Sequence, residues 1–160
     1  MTALAPAVLP APKDVRDLLE GLLGKDVAVA PGEPVSVGSR SAMALYVDAQ
    51  LAPTAVCLVD LPLAAWCAGA LALLPRGGLE DAVEDGELSD MHLEVLHEVV
   101  NVAAALLNAG GVTHSKLHTL YAPGEAVPAD LVRLSTAFNR LDLAVEVAGY
   151  GRGAMSIVLR

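Results

Sequence analysis

Two side chains that can act together in chemistry, Glu98 and Asn101, lie three residues apart in the stretch from Ser89 to Asn108. Residues three apart on an α-helix project side by side from one face, so a helix here presents a carboxylate beside a carboxamide. The amide can orient a water molecule by accepting one hydrogen bond and donating another, and the carboxylate can bind a cation on a partner. Such water positioning without a covalent enzyme intermediate can suffice to hydrolyse an acyl phosphate, because its leaving group is already good.

The helix that positions this pair is predicted by apolar residues at helical spacing from Ser89 to Asn108. At roughly 100° per residue, they cover most of the circumference and leave a polar sector about 100° wide. This sector, the polar face, contains no Lys or Arg, although a solvated helix face is normally rich in both. Without other information, it remains compatible with an ordinary solvated surface. Its members are Glu94, His97, Glu98, Asn101, Ala105 and Asn108.

Several other kinds of active site are disfavoured. The sequence from His97 to Asn101 differs by one letter from the HExxH zinc motif, but an amide at the second ligand position is a poor zinc ligand. His114 and His118 are also four apart, but on the predicted strand they stand too far apart to bind one ion easily. There is no GxSxG, Walker or GxGxxG motif. The sequence therefore predicts no bound metal, and a weaker hypothesis of a metal site uses His92, Glu94 and His97.

Composition restricts the class of protein. A chain of 160 residues with 54 % hydrophobic and 18 % charged residues forms one folded domain with a substantial core. The net charge of −9 argues against nucleic-acid and membrane partners, which need a cationic patch. The longest apolar run, from Leu61 to Leu74, is too short to span a bilayer. Cys57 and Cys67 are isolated, as expected of reduced core thiols, so we expect a cytoplasmic protein.

The order of predicted elements indicates an α+β domain, with helices on one face of a largely antiparallel sheet. Residues 1–12 are predicted to be a flexible tail rich in Ala and Pro, and residues 13–160 a single domain. The first three strands are expected to form an antiparallel meander, and the acidic segment 76–90 a solvated loop. The predicted helices are 14–23, 63–74, 89–108 and a short one within 128–138, and the predicted strands are 35–37, 42–49, 54–59, 116–121, 141–148 and 154–159.

An E-x-x-N sequence on a long helix, followed a little over twenty residues later by a proline, resembles the CheC/CheX/FliY group of chemotaxis phosphatases. Here those residues are Glu98, Asn101 and Pro123. The order of elements fits the group over most of the chain. The resemblance is to CheX more than to CheC, because CheC-like members have two such helices and the helix at 14–23 has no E-x-x-N.

The resemblance implies a CheX-like fold and a phosphatase acting on the phosphorylated aspartate of a response-regulator receiver domain such as CheY. Asn101 would orient the attacking water and Glu98 would hold a lysine of the receiver. The chain would bind no cofactor itself, since Mg²⁺ would come from the receiver. CheX-like proteins are homodimers, for which exposed edge strands are available. The remaining polar-face residues are predicted to form a binding surface, namely Glu94, His97, Ala105 and Asn108.

The chain departs from the family pattern at three points. Val100 replaces the common glycine before the asparagine, and Glu94 stands where Ser or Asp is usual. The interval from Asn101 to Pro123 is slightly short. These departures leave open an alternative function, a catalytically weak or inactive CheX-like domain that binds a receiver or a motility or signalling complex.

Overall fold

The computed structural model describes residues 8–109 and 114–160, which form five helices and six strands. This architecture confirms the predicted α+β class with an antiparallel sheet. The helices are α1 (Pro12–Leu23), α2 (Leu61–Ala72), α3 (Arg76–Asp85), α4 (Asp90–Asn108) and α5 (Ala129–Leu134). The strands are β1 (Val27–Pro31), β2 (Ser41–Val47), β3 (Pro53–Asp60), β4 (Lys116–Tyr121), β5 (Arg140–Val147) and β6 (Gly151–Leu159).

The six strands form one sheet in the order β1-β5-β6-β3-β2-β4, and every pair is antiparallel. The predicted C-terminal hairpin is confirmed as β5–β6, and β2–β3 is a second hairpin. Among the described strands, β1 and β4 form the two edges of the sheet. Strand β4 therefore lies at an edge, and its other side is free of strand partners within the described residues.

The sheet is buried on both faces. One face packs against α1, α2 and α4 through alternate residues such as Ala44 and Tyr46 of β2. The opposite face, with Met43 and Leu45, packs against α5 and the loop after β1. Because both faces are covered, all seven residues of β2 are buried. Helices α1, α2 and α4 form one layer as predicted, α3 joins that layer, and the short α5 lies on the other side of the sheet.

The predicted strand at 35–37 is wrong, and so is the three-stranded meander. The first strand is Val27–Pro31, which pairs with β5 and not with β2. Val35 and Val37 are apolar because they pack on the second face of the sheet, and the Val35 N–H donates to the buried Ser156 hydroxyl over 2.9 Å. Short-range patterns cannot reveal that β1 pairs with a strand more than a hundred residues away.

The acidic segment is not wholly a loop, because its first part is α3. This helix has one buried side chain, Leu79, which fits against Gly69 of α2 so closely that a Cβ at Gly69 would collide with it. Arg76 and Glu80 form an ion pair four residues apart, the spacing that supports a helix. The prediction was wrong because a single buried leucine gives almost no periodic signal.

Helix α2 is held by a cap at its first turn and by contacts with β6. The Asp60 carboxylate caps it by accepting the Leu63 N–H over 2.9 Å, and burial raises the pKa of this carboxyl. Trp66 is the core anchor expected from the sequence, since it is 6 % exposed and its indole N–H donates to the Arg152 carbonyl over 3.0 Å. Gly153 allows α2 to lie against β6, because a Cβ there would come within 2.6 Å of the Leu63 nitrogen.

The predicted tail is described only from Val8 onwards. Leu9 packs against the core, Pro10 is buried, and α1 begins at Pro12. Residues 1–7 lie outside the described residues, so the flexible tail stays a prediction for that part of the chain. No helix within residues 8–109 and 114–160 is both long and apolar enough to cross a membrane.

Candidate functional site

Helix α4 begins with a reciprocal cap that fixes its first turn. The Ser89 hydroxyl accepts the His92 N–H over 3.1 Å, and His92 Nδ1 accepts the Ser89 N–H over 3.3 Å. Asp90 in the first turn adds a favourable interaction with the helix dipole. The buried side of the helix sets its rotation on the sheet and consists of Leu96, Val99, Val100, Ala103, Leu106 and Leu107.

This rotation turns most of the polar face outward. Glu98 and Asn101 are both exposed, and neither side chain makes a hydrogen bond or ion pair with any part of the chain that the structure describes. Both are therefore available to groups on another molecule. The predicted binding residues Glu94, His97 and Ala105 are exposed on the same face. The structure thus brings together five of the six residues predicted from the sequence.

Asn108, the sixth, has a different environment. It is half-buried, and its amide nitrogen donates to the Ser115 carbonyl over 2.8 Å. Its amide oxygen accepts the Ser115 N–H, also over 2.8 Å. Both ends of the amide are thus engaged within the chain. Asn108 thus connects the C-terminal end of α4 to Ser115, the residue preceding β4.

Val100, the departure next to Asn101, points into the core and is 2 % exposed. Its backbone carbonyl accepts a hydrogen bond of 2.6 Å from the hydroxyl of Tyr46 on β2. Burial, with a smaller effect of Cys57, raises the pKa of Tyr46, so the phenol remains a donor. Sequence reasoning missed Tyr46 as a positioning residue. Its only signal was a polar aromatic in a strand, which does not identify the helix it contacts.

Two grooves flank the exposed face of α4. The first, here called the acidic groove, is an open groove of about 500 Å³ between the first half of α4 and β4. The second, here called the α1 groove, is about 470 Å³ and includes Ala105, Leu106 and Leu18. A partner seated on Glu98 and Asn101 would meet both. The acidic groove is lined by Asp90, Leu93, Glu94, His97 and Leu120.

Pro123 is not on α4 but follows β4 at the end of the sheet. It is half-buried, and the N–H of the next residue, Gly124, donates to the Gly38 carbonyl over 3.2 Å. Pro123 therefore lies in a turn directly after β4. The contacts of the described residues give it no direct bond to Glu98 or Asn101.

Metal and thiol chemistry have little support in the described residues. No three His, Cys, Asp or Glu side chains there come together as a metal site, and the His92 ring accepts a hydrogen bond in the helix cap. Cys57 and Cys67 are buried free thiols, as the sequence indicated. Burial raises the pKa of each to about 12, which keeps them protonated and unreactive at neutral pH.

Neither a protein-family model nor a curated protein matches the sequence. Solved structures do match. CheX from Vibrio vulnificus has 15 % identity and a TM-score of 0.56, covering 100 % of both chains. A chain of the CheX–CheY–BeF₃–Mg²⁺ complex from Borrelia burgdorferi has 13 % identity and a TM-score of 0.54, covering 90 % of this chain and 91 % of that one. A chain of the FliM–SpeE complex from H. pylori has 13 % identity and a TM-score of 0.64, covering 92 % and 80 %.

These similarities confirm the predicted CheX-like fold of the CheC/CheX/FliY family. They cover nearly the whole chain, so the described elements correspond to one domain of that fold. At this low identity, they establish the fold alone. The function must be inferred from the site.

Proposed function

We propose that this protein hydrolyses the aspartyl phosphate of a CheY-like response-regulator receiver domain. The observation that carries this is the exposure of Glu98 and Asn101 side by side on α4, with neither side chain engaged within the described chain. A helix whose opposite side is buried holds the two groups at fixed spacing, as water positioning requires. The occurrence of the same fold in the CheX–CheY–BeF₃–Mg²⁺ complex supports a receiver as partner.

In the proposed reaction, a water oxygen attacks phosphorus in line with the bond to the aspartyl oxygen. That bond breaks, its electron pair leaves with the aspartate carboxylate, and inorganic phosphate takes up the water oxygen. The proton lost by the water passes to a phosphate oxygen or to solvent. The Asn101 amide orients the water, and Glu98 binds a lysine of the receiver. No strong base is needed, because a carboxylate is a good leaving group.

We propose that the receiver supplies the Mg²⁺, so that this chain contributes only Glu98 and Asn101 to the reacting complex. The ion neutralises charge on the phosphoryl oxygens. Within the described residues, no three His, Cys, Asp or Glu side chains come together on the polar face, so it offers too few ligands to hold the ion alone. The residues present therefore fit a receiver-held ion.

A second candidate is a domain that docks on receivers or on a motility complex without accelerating hydrolysis. The occurrence of the fold in the FliM–SpeE complex, a protein–protein assembly, favours it. Docking would use the same exposed face of α4. The two candidates therefore differ in chemistry and not in the surface that they need.

Phosphate release from phosphorylated receivers in the presence of Mg²⁺ tests the phosphatase. A panel of receiver domains from the same genome is phosphorylated with a small-molecule donor, and wild type is compared with Asn101→Ala and Glu98→Ala. We expect acceleration by wild type and its loss, by a hundredfold or more, in Asn101→Ala. Gln50→Ala is the matched control, because it removes an exposed amide in the turn between β2 and β3, and it should keep full activity.

Two outcomes separate the candidates. Equal hydrolysis by Asn101→Ala and wild type would show that the catalytic assignment is wrong. Binding of a phosphorylated receiver by wild type without faster phosphate release would establish docking instead. Because alanine favours a helix more than asparagine does, loss of activity in Asn101→Ala cannot be attributed to loss of α4.

We propose that the protein acts as a homodimer in the cytoplasm, where receiver domains are found. The described sheet offers two edges for pairing, β1 and β4. Pro31 ends β1 and lacks an N–H, which limits how far another strand can pair there. Light scattering of the purified protein measures the oligomeric state directly.

A further inference from the structure

Nearly all of the net charge of this protein arises in one short segment. Residues 81–98 carry seven Asp and Glu and no Lys or Arg, whereas the other 142 residues carry twelve Asp and Glu against ten Lys and Arg. The segment runs from the end of α3 to the Glu98 position on α4. Its seven carboxylate residues are all exposed: Asp81, Glu84, Asp85, Glu87, Asp90, Glu94 and Glu98.

None of these seven carboxylates forms an ion pair within residues 8–109 and 114–160. Of the other twelve Asp and Glu, five form ion pairs within the described residues, for example Asp17 with Lys13 and Glu80 with Arg76. Concentrating unpaired like charges on one surface is unfavourable for the isolated protein. The cost is offset when a cationic partner covers that surface.

The acidic groove combines this charge with an apolar floor. Leu93 of α4 and Leu120 of β4 are both half-buried and line it, and Asp90 and Glu94 form its acidic rim. No Lys or Arg lies among the described lining residues. On α4 the lining of the groove runs from Asp90 to His97, the residue directly before Glu98, so a partner docked on the Glu98/Asn101 pair lies next to it.

We propose that the acidic groove is a docking site for an amphipathic, Lys- or Arg-bearing segment of the same receiver-bearing partner. The identity of the partner rests on the proposed function, but the chemistry of the segment follows from the groove. Aliphatic parts of the segment cover Leu93 and Leu120, and its basic groups approach Asp90 and Glu94. The groove thereby sets which receivers bind, separately from the Glu98/Asn101 pair that acts on the phosphoryl group.

Charge complementarity decides among the possible occupants. Nucleic acids and anionic lipid surfaces would be repelled by the acidic rim. A second copy of this chain is a poor match, because its net charge is also −9. Among the described helices, only α1 has basic residues close together, and there Lys13 and Arg16 already pair with Asp17. A basic surface on a different protein therefore fits best.

The test uses a double substitution that removes the rim charge without adding bulk. Asp90→Asn/Glu94→Gln is compared with wild type and with Asp26→Asn/Glu33→Gln, which makes the same charge change beside β1 at the opposite edge of the sheet. Affinity is measured by calorimetry for receiver domains loaded with beryllium trifluoride and Mg²⁺, at two salt concentrations. Circular dichroism confirms that each variant is folded.

We expect the groove variant to bind at least tenfold more weakly at low salt and to show a shallower salt dependence, while the control changes less than twofold. Equal affinity and salt dependence of the groove variant and wild type would overturn the docking site while leaving the phosphatase intact. Equal weakening of receiver binding in both variants would mean that overall charge, and not the groove, determines affinity. If the groove variant changed only its oligomeric state and kept its affinity for receivers, the occupant would be a second copy of this chain.

If no receiver binds wild type at all, the partner and the proposed function both fail. To locate the basic surface of the receiver, exposed lysines of the receiver that binds are replaced by glutamate, and affinity is measured in the same assay. Restored affinity of Glu94→Lys for such a charge-reversed receiver would locate the contact at the groove. Absence of any rescue across the lysines tested would overturn it.

Discussion

The hydroxyl of Tyr46 donates a hydrogen bond of 2.6 Å to the backbone carbonyl of Val100, the residue immediately before Asn101. Tyr46 is 1 % exposed and lies on β2, between β3 and the edge strand β4. The bond connects the centre of α4 to the sheet directly beside Asn101, the residue with the proposed catalytic amide. Rotation or sliding of α4 would break it, so the outward orientation of Asn101 is coupled to a buried contact.

Tyr46→Phe should lower the free energy of unfolding by about 1–2 kcal/mol, because it removes a buried hydrogen bond and little volume. Urea denaturation followed by circular dichroism measures this change. Tyr121→Phe is the control, since its half-buried hydroxyl makes no hydrogen bond within the described residues, and it should change stability by less than about 0.5 kcal/mol. Similar losses in both variants would contradict the anchoring role of Tyr46.

Val100→Gly should destabilise the protein without improving catalysis. Truncation of this buried side chain to alanine should cost about 2 kcal/mol, and glycine should add about 1 kcal/mol inside a helix. Val100→Ala separates the two contributions in the same urea assay. Because the Val100 side chain lies in the core, phosphate release by the folded variants should stay near the wild-type rate. A tenfold faster rate in Val100→Gly would mean that valine restricts the site.

The same substitution at two positions of α4 should have different effects on stability. Asn108→Ala breaks both hydrogen bonds to Ser115 and should cost about 2 kcal/mol or more. Asn101→Ala breaks no bond within the described chain and should be neutral or slightly stabilising. Thermal unfolding compares them directly. A loss of stability in Asn101→Ala equal to that in Asn108→Ala would mean that Asn101 is also a structural residue.

Alkaline pH should destabilise the protein through its two thiols. Burial raises the pKa of Cys57 and Cys67 from 9.0 to about 12, so the unfolded chain loses these protons first as pH rises. Their contribution is therefore fully present below about pH 9 and is lost progressively towards pH 12. Unfolding free energies between pH 7 and 11, under reducing conditions, should fall less steeply in Cys57→Ala/Cys67→Ala. An unchanged slope would show that other groups dominate.

Elements whose information is local were predicted well. Helix α4, the C-terminal hairpin and β4 were predicted closely, because each has a regular apolar period and clear end signals such as Ser89. Strand β1 was missed because a five-residue strand of Val and Ala gains its identity from pairing with β5. Helix α3 was missed because only Leu79 is buried. Tertiary contacts override weak local signals in both cases.

Helical periodicity alone predicts which residues share the polar face of α4, because it depends only on the order of residues along the chain. It thereby placed Glu98, Asn101 and Ala105 together before any contact was known. Tertiary contacts leave the side chains of Glu98 and Asn101 free of the rest of the described chain and bind Asn108 to Ser115. Periodicity cannot predict this difference, because exposure and pairing depend on what packs beside the helix. Of those neighbours, β2 is distant along the chain, with Tyr46 54 residues before Val100, whereas β4 is the element that follows α4 directly.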